Sequence, residues 1–264
     1  MDFLSIVNDN IYRIVTPYQD INTTIYIIRT QDGVMVFDTG SSDADVENYI
    51  LPALDNLKIS LGDVKSIFIS HKHRDHANGL RRLLKEIPEA VIYSRSDALK
   101  EEYAEYDVRY FNDGETVMTD LVTVTIPGHT LDSSAIFDTR TKTMITGDCL
   151  QLFGIFGSGD WASNVSFIPQ HFEALDKLEK MDIKEIYTAH NYHPIGYKFI
   201  GKYQIKEALD ACKKPLLDIG ELIKNNPQLD DEEIRSLRNS DKTLPTINLT
   251  VVKAVRSAIA EGII

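Results

Sequence analysis

The chain has 264 residues, 43% hydrophobic and 26% charged, which is ordinary for a globular α/β domain with or without a small addition. Its two cysteines, Cys149 and Cys212, are too few for a disulfide framework, and no segment resembles a signal peptide or a membrane span. A net charge of −12 disfavours contact with nucleic-acid backbones, so we expect a cytoplasmic protein without membrane or nucleic-acid partners.

The first part of the chain is predicted to consist mainly of β-strands. Apolar or β-branched runs predict strands at 10–15, 24–29 and 34–38, and the run Gln31-Asp32-Gly33 marks a hairpin turn between the last two. Hydrophobic residues at helical spacing then predict a helix over 43–57.

Strands and helices alternate in the middle of the chain. The same patterns predict strands at 64–70, 90–94, 121–126, 135–138, 143–146 and 183–187, and helices at 77–87 and 167–181. Strands followed by mixed elements, in an order repeated about twice, indicate two stacked sheets whose outer faces are covered by helices. The predicted fold class is therefore α/β in the broad sense (α+β).

The composition changes near residue 200, and we predict a main domain over 1–200 followed by a helical extension over 201–264. Helices are expected at 203–224 and 251–261, joined by an exposed acidic stretch at 228–238. The extension contains no histidine, and it is predicted to cap the domain, shape a pocket or mediate homodimerisation.

Six consecutive residues, His71-Lys72-His73-Arg74-Asp75-His76, contain four metal-ligand side chains directly after a predicted strand. In extended backbone His71 and His73 project to the same side, while Asp75 and His76 fall where the chain turns into the next helix. Imidazole nitrogens and a carboxylate that converge at one strand end are zinc-type ligands. We predict a metal site rather than a group of structural histidines, since packing these partly cationic rings without a metal offers no evident gain.

Three further ligand-type residues also follow predicted strands. His129 comes after a Pro-Gly pair, Asp148 comes after Gly147, and His190 comes after the strand at 183–187. Strand ends on one edge of a layered fold converge, so we expect these loops to meet the first histidine cluster at one site.

The run from His71 to His76, followed in order by His129, Asp148 and His190, resembles the metallo-β-lactamase-fold hydrolase superfamily over about residues 10–195. Three shorter runs are similar to other signatures of that superfamily: Asp38-Thr39-Gly40, Pro127-Gly128-His129-Thr130 and Thr146-Gly147-Asp148. The resemblance implies a four-layer αββα sandwich as the catalytic domain, with the helical extension after it.

The resemblance also implies how the ligands divide between two divalent metal ions. One ion would be held by His71, His73 and His129, the other by Asp75, His76 and His190, with Asp148 bridging both and Asp38 supporting the ligand loops. Two such ions lower the pKa of a shared water toward ~7, and the resulting hydroxide attacks a carbonyl or phosphorus atom.

Within this ligand set, Asp75, His76 and Asp148 are the predicted catalytic residues. Zinc is the expected metal, and iron and manganese are alternatives with the same ligand types. The dioxygen-reducing diiron branch of the superfamily resembles this motif but has Glu where this chain has His73.

The leading functional prediction is hydrolysis of an ester, thioester or lactone of a small metabolite. Five residues near the ligands are predicted to form the substrate pocket: Phe153, Phe156, Trp161, Tyr192 and His193. The Gly- and aromatic-rich loop at 150–161 is equally well interpreted as a packed connection. Cys149, next to Asp148, is interpreted as a buried thiol rather than a nucleophile.

Three alternatives remain open: a phosphodiesterase on a small substrate, a mononuclear iron persulfide dioxygenase and a non-catalytic scaffold. The complete set of seven ligands disfavours the scaffold. The run from His129 to Ser133 lacks the second His of the His-Thr-x-Gly-His pattern that the family resemblance associates with glyoxalase II. β-Lactam hydrolysis is possible chemically, but without an export signal it would make poor defence.

Overall fold

Two β-sheets form the centre of the computed structural model, which describes residues 1–157 and 161–264. Residues 158–160 of the predicted loop at 150–161 therefore lie outside the described part. The first sheet contains seven strands side by side in chain order: β1 (Leu4–Ile6), β2 (Ile11–Tyr18), β3 (Ile21–Thr30), β4 (Gly33–Phe37), β5 (Val64–Phe68), β6 (Val91–Tyr93) and β7 (Val108–Arg109). Pairing is antiparallel from β1 to β4 and parallel from β4 to β7.

The second sheet contains six strands in the order β13-β12-β11-β10-β9-β8: β8 (Thr116–Met118), β9 (Leu121–Thr125), β10 (Ser134–Asp138), β11 (Thr143–Ile145), β12 (Glu185–Tyr192) and β13 (Gly196–Ile200). All neighbours in this sheet are antiparallel except β11 and β12, which are parallel.

Nine α-helices lie within the described ranges: α1 (Asp43–Asp45), α2 (Leu51–Asn56), α3 (Arg74–Ala77), α4 (Leu80–Glu86), α5 (Asp97–Glu102), α6 (Ile168–Lys180), α7 (Gly201–Asn225), α8 (Asp231–Arg238) and α9 (Leu249–Ala260). A π-helical turn (Val46–Ile50) joins α1 to α2, and a 3-10 turn (Leu61–Asp63) precedes β5.

Three hydrophobic cores separate the layers. Residues of both sheets, including Phe37, Phe68 and Tyr187, pack between the sheets. A second core lies between the first sheet and helices α2, α4 and α5, and a third lies between the second sheet and helices α6 and α7. Because side chains alternate along a strand, Ile25 faces the helices while Tyr26 faces the other sheet. This layer order confirms the αββα sandwich.

Some predicted elements are corrected by the structure. The helix predicted at 77–87 is divided into α3 and α4, and the break includes Gly79, where a Cβ atom would lie 2.1 Å from the carbonyl oxygen of Thr39. The stretch at 228–238 was predicted as an exposed joint, but it contains α8, which starts at a capping box made by Asp230 and Glu233. The sequence analysis also missed five short elements: β1, β7, β8, β13 and α5.

The C-terminal helices build a fourth core with the first residue of α6 and the chain segment before it. Val165 and Ile168 are buried there among side chains of α7, α8 and α9: Leu216, Ile219, Ile223, Ile234, Val251, Val252 and Val255. The extension therefore supports the segment that precedes α6. No helix in the described ranges is long and apolar enough to span a bilayer.

Candidate metal centre

The first ligand segment, residues 71–76, follows the C-terminal end of strand β5 in the first sheet. The rings of His71 and His73 are neighbours, with centroids 4.6 Å apart. His73 has extended backbone and caps the N-terminus of α3. Because α3 begins directly after His73, Asp75 and His76 turn back toward the preceding histidines, and the ring centroids of His71 and His76 lie 4.3 Å apart.

The remaining ligand candidates come from the second sheet. His129 follows β9 and Asp148 follows β11, as the sequence predicted. His190 lies inside β12 rather than after a strand, because β12 continues beyond Tyr187 with a shift in register. The strand predicted at 183–187 was therefore too short.

All seven predicted ligands meet at one place. In each of three overlapping groups the ligand atoms lie within 4.8 Å of one another: His71, His73 and His129; His71, His76 and Asp148; Asp75, His76 and His190. We name the first group the histidine side and the last group the carboxylate side. Asp148 lies between them, with Oδ1 3.0 Å from His190 Nε2 and Oδ2 3.7 Å from His129 Nε2.

Backbone carbonyl groups orient two of the ligand histidines. Nδ1 of His129 lies 2.6 Å from the carbonyl oxygen of Asn164, and Nδ1 of His190 lies 2.7 Å from that of Asn22. A carbonyl oxygen only accepts hydrogen bonds, so Nδ1 carries the ring proton in both side chains. Nε2 of each ring therefore faces the centre and is the nitrogen that is available to bind a metal ion.

Asp38 orients His76 and the segment that carries His71. Its Oδ2 lies 2.7 Å from His76 Nδ1, and the carboxylate also accepts hydrogen bonds from the backbone N–H and the hydroxyl of Ser70. The Ser70 hydroxyl in turn lies 3.1 Å from His71 Nδ1. Asp38 follows β4 directly with a φ of 61°, a left-handed conformation that Asp tolerates better than most residues.

Gly147 lets the loops of the two sheets approach each other. It has a φ of 55°, and a Cβ atom at this position would lie 2.5 Å from the Ser70 hydroxyl oxygen. A larger residue would push Asp148 away from the first ligand segment, so the Gly-Asp pair is a geometric requirement of the centre.

The inner atoms of the cluster fit a bound cation. Nε2 of His71 is buried without a hydrogen-bond partner in the described part of the chain, and Nε2 of His76 is buried with Asp75 Oδ2 at 3.2 Å and Asp148 Oδ1 at 3.5 Å. Nε2 of His190 lies 3.0 Å from Asp148 Oδ1 and 3.4 Å from Asp75 Oδ2. Lone pairs at these distances repel unless a proton or a metal ion lies between them, and this donor set suits divalent metals.

Burial favours the unprotonated form of two residues on the histidine side, His71 and His73. Burial lowers the pKa of His71 well below its usual value, and the neighbouring His76 and His129 lower it further. Burial also lowers the pKa of His73, again with a contribution from His129. A deprotonated imidazole is the form that binds a metal ion.

The carboxylate side attracts positive charge. Burial lowers the pKa of His190, but Asp148 and Asp75 outweigh it and raise that pKa to about 10. Burial is likewise outweighed at His76, whose pKa is held well above its usual value by Asp75, Asp148 and Asp38. The pKa of Asp148 is held well below its usual value because His190 and His76 outweigh its burial.

A cavity of about 250 Å³ opens over the ligands. Ligand residues of both sides line it, and its apolar wall is formed by Tyr18, Ile21, Ile155 and Trp161. The Trp161 indole is held by a hydrogen bond of 2.8 Å from Nε1 to Asp20 Oδ1. The ligands are thus reached through a small, partly apolar chamber.

The structure separates the five predicted pocket residues. Trp161 lines the metal cavity, whereas Phe153 lines a different groove beside α7. Phe156 and His193 stack on each other with ring centroids 3.6 Å apart, outside the lining of the metal cavity. Tyr192 is fully buried and does not form a wall.

Comparison with known proteins places this arrangement in a family. The chain matches the metallo-beta-lactamase superfamily over residues 19–190, a span that contains all seven predicted ligand residues. The chain belongs to the metallo-beta-lactamase superfamily. In a member of this superfamily the histidine and aspartate cluster implies divalent metal ions.

Named relatives within the superfamily are distant. The chain is 21% identical over 259 residues to the beta-lactamase-like protein 2 homolog of Caenorhabditis elegans, which covers 93% of this chain and 83% of that protein. It is 29% identical over 160 residues to a hydroxyacylglutathione hydrolase of Francisella philomiragia, which covers 55% of this chain and 60% of that enzyme. It is 25% identical over 230 residues to the atrochrysone carboxyl ACP thioesterase of Emericella nidulans, covering 81% and 69%. The match thus spans less than two thirds of the Francisella enzyme.

Solved structures of superfamily proteins share the fold. A metallo-beta-lactamase family protein from Thermus thermophilus superimposes with a TM-score of 0.69 at 16% identity, covering 97% of this chain and 95% of that chain. The rubredoxin oxygen:oxidoreductase of Desulfovibrio gigas superimposes with a TM-score of 0.65 at 14% identity, covering 88% and 74%. At these identities the likeness shows the fold alone.

Two polar residues, which were not predicted from the sequence, hold residues of the candidate metal centre in place. Gln151 donates from Nε2 to the carbonyl oxygen of Asp148 at 2.9 Å and accepts the backbone N–H of Asn164 at 3.0 Å. Thr23 donates its hydroxyl to Asp75 Oδ2 at 3.0 Å. In the sequence, Gln151 is distinguished only as a polar residue within a loop rich in aromatic residues. Thr23 has no local feature that separates it from the other threonines of the chain.

Two residues close to Asp148 in space are fully buried. The Tyr192 hydroxyl donates to Asp148 Oδ1 at 3.1 Å, so this side chain contacts a ligand. Burial, with a contribution from Asp148, raises the pKa of the Cys149 thiol well above its usual value. Cys149 therefore stays protonated and does not serve as a nucleophile.

Proposed function

We propose that the protein is a binuclear, metal-dependent hydrolase that cleaves an ester, thioester or lactone bond of a small metabolite. The observation that carries the proposal is the convergence of the inner histidine nitrogens and two carboxylates on one buried space, with the ligand atoms of each group within 4.8 Å of one another. We further propose a cytoplasmic location, in keeping with two buried free cysteines.

The donor set favours zinc. It contains imidazole nitrogens and carboxylate oxygens and no thiolate, since Cys149 is protonated. His71, His73 and His129 would hold one ion, Asp75, His76 and His190 the other, and Asp148 both. Such ions would lower the pKa of a water toward ~7 and polarise the scissile carbonyl.

The side chains of the centre do the positioning. Asp75 is fixed by the Thr23 hydroxyl, and Asp148 is fixed by Tyr192 and by Gln151. Preorganised groups of this kind lower the barrier because they need no rearrangement as charge develops at the reacting carbonyl. The apolar wall that contains Trp161 limits the water around the scissile bond.

The size of the metal cavity favours a small acyl group. About 250 Å³ is below the usual range for a whole drug-sized ligand. Two relatives carry hydrolase or thioesterase names, which agrees with acyl transfer to water. The run from His129 to Ser133 departs from the glyoxalase II pattern, so we do not restrict the substrate to glutathione thioesters.

The proposal is tested by metal analysis together with a substrate panel. Purified protein should contain two zinc ions per chain and hydrolyse at least one of a set of thioesters, lactones and aryl esters. His73→Ala and Asp148→Asn should each lower metal content and reduce kcat/KM by more than about 100-fold, since even indirect ligand support is worth about 10–100-fold. Asp55→Asn, an exposed carboxylate on α2, is the matched control and should retain both properties.

Other results would point elsewhere. One iron per chain with oxygen consumption would indicate the persulfide dioxygenase, and turnover of phosphodiesters alone would indicate a phosphodiesterase. A folded protein without metal or turnover would indicate a scaffold. Full activity in both ligand variants would overturn the proposal.

A further inference from the structure

A second, larger cavity lies beside the metal cavity. It has a volume of about 750 Å³, and His73, His129 and Asn164 line both cavities. A substrate whose scissile bond lies over the ligands therefore reaches this second space past His73. The metal cavity alone is below the usual size of a pocket for a drug-sized ligand, whereas the two cavities together provide room for a longer substrate.

The walls of the second cavity combine apolar surface with one fixed guanidinium group. Leu131 and Tyr110 are 58% and 45% exposed and line it together with Phe167. Arg95 follows β6, donates from Nη1 to the carbonyl oxygen of Phe111 at 2.9 Å and lies over the Tyr110 ring, with Cζ 4.8 Å from its centroid. We refer to this space as the Arg95 groove.

The charges of the Arg95 groove leave the guanidinium group available. Its other charged residues are Lys72, Asp97 and Asp132. Asp132 accepts the backbone N–H of Lys72 at 3.1 Å, and Asp97 lies in the first turn of α5, where a helix favours acidic residues. Within residues 1–157 and 161–264, neither Arg95 nor Lys72 forms an ion pair.

We propose that the Arg95 groove binds the anionic end, a carboxylate or a phosphate, of an acyl substrate whose scissile carbonyl lies at the metal centre. This inference rests on the proposed hydrolase function and specifies its substrate class. Arg95 is partly preorganised, because Phe111 and Tyr110 hold it, and its remaining N–H groups form the fork that matches an anionic oxygen pair. Leu131 and Tyr110 would cover an apolar spacer between the two ends.

Binding of matched, non-hydrolysable analogues tests the inference separately from catalysis. Three thioether analogues share one chain and end in a carboxylate, a phosphate or a primary amide. Calorimetric titration of the zinc-loaded protein should give at least a tenfold lower Kd for an anionic analogue than for the amide, and the two anionic arms identify which group is preferred. Arg95→Gln should abolish that preference, and Arg140→Gln, which removes an exposed arginine elsewhere on the surface, should keep it.

Each outcome bears on a different claim. Equal affinity for all three analogues, or a preference retained in Arg95→Gln, would overturn the groove assignment even if the enzyme hydrolyses esters. A preference lost only in Arg95→Gln, with no turnover of the substrate panel, would support the anion site and count against the hydrolase function. If the enzyme is active, Arg95→Gln should lower the ratio of kcat/KM for anionic esters to kcat/KM for neutral esters. The factor should equal the loss of binding preference measured with the analogues.

Discussion

The two sides of the metal centre prepare for a cation in opposite ways. The histidine side is made of imidazoles, and burial lowers the pKa of His71 and His73, so each of these two rings keeps one unprotonated nitrogen at neutral pH. The carboxylate side carries the negative field of Asp75 and Asp148, which raises the pKa of His190 to about 10. The histidine side thus offers unprotonated nitrogen ligands, and the carboxylate side attracts positive charge.

The outer partners of the two sides differ as well. His76 on the carboxylate side is oriented by an ionisable side chain, Asp38, whereas His129 on the histidine side is oriented by the backbone carbonyl of Asn164. A side-chain partner is removed by one substitution, but a backbone partner depends on the packing of its whole segment. The two sides should therefore respond to different kinds of mutation.

The largest effects should come from removing one ligand on each side. His129→Ala and His190→Ala should each reduce metal content from two ions toward one and lower kcat/KM by more than about 100-fold. Of the two variants, His129→Ala should bind its remaining ion more tightly than His190→Ala does, because the carboxylate side retains its negative charge. Chelator titration followed by elemental analysis measures the metal content of each variant and how tightly the remaining ion is bound. Loss of both ions at the same chelator concentration in both variants would mean that the sides do not act separately.

Asp38→Asn should weaken metal binding on the carboxylate side by about 10–100-fold, because His76 Nδ1 and Ser70 then face a neutral amide with one acceptor oxygen in place of a carboxylate with two. Titration with zinc and a competing chelator gives the affinity. Asp45→Asn is the matched control: Asp45 is also buried and also accepts the backbone N–H and hydroxyl of a serine, Ser41, yet contacts no ligand. Equal losses in both variants would remove the special role of Asp38.

A buried histidine behind the histidine side should make stability depend on pH. His171 is fully buried, and burial lowers its pKa to about 3, with smaller contributions from the charges of His129 and Lys213. In the unfolded chain His171 takes up a proton near pH 6.5, whereas in the folded chain it stays unprotonated down to about pH 3. The free energy of unfolding therefore decreases as the pH falls from about 6.5 toward 3. Between pH 7 and pH 5 this amounts to about 2 kcal/mol of unfolding free energy.

His171→Leu should remove that part of the pH dependence in urea unfolding at pH 7 and pH 5. His193→Leu is the control, because His193 is partly exposed and should change the pH dependence much less. An unchanged pH dependence in His171→Leu would show that His171 is protonated or solvated in the folded protein.

The smallest effect is expected where the C-terminal extension supports the histidine side. Val165, next to Asn164, is fully buried in the fourth core, and Val165→Ala should cost about 1.5 kcal/mol of unfolding free energy. It should also weaken the histidine-side ion by a few-fold, since the Asn164 carbonyl loses support. Val252→Ala removes the same atoms from the same core far from Asn164 along the chain, and should lower stability alone. Identical metal affinities in both variants would contradict this link.

The sequence was sufficient to predict the sandwich and where most of the ligands lie in it. The segment from His71 to His76 follows a strand, as does Asp148, because apolar runs and turn residues mark strand ends locally. The position of His190 within β12 was not predictable, since a strand that passes through a register shift has no pattern of its own. Helix α8 was missed because its acidic surface conceals one buried residue, Ile234.

The sequence by itself determined the types of side chain at the centre, because metal binding depends on side-chain chemistry and four of the predicted ligands lie within six residues. Tertiary structure alone decided which atoms orient the ligands and which residues face the substrate. The carbonyl oxygens of Asn22 and Asn164 are chemically like any others, and they become partners of His190 and His129 only when segments 168 and 35 positions apart pack together. The same packing puts Trp161 on the cavity and Phe153 on a different surface.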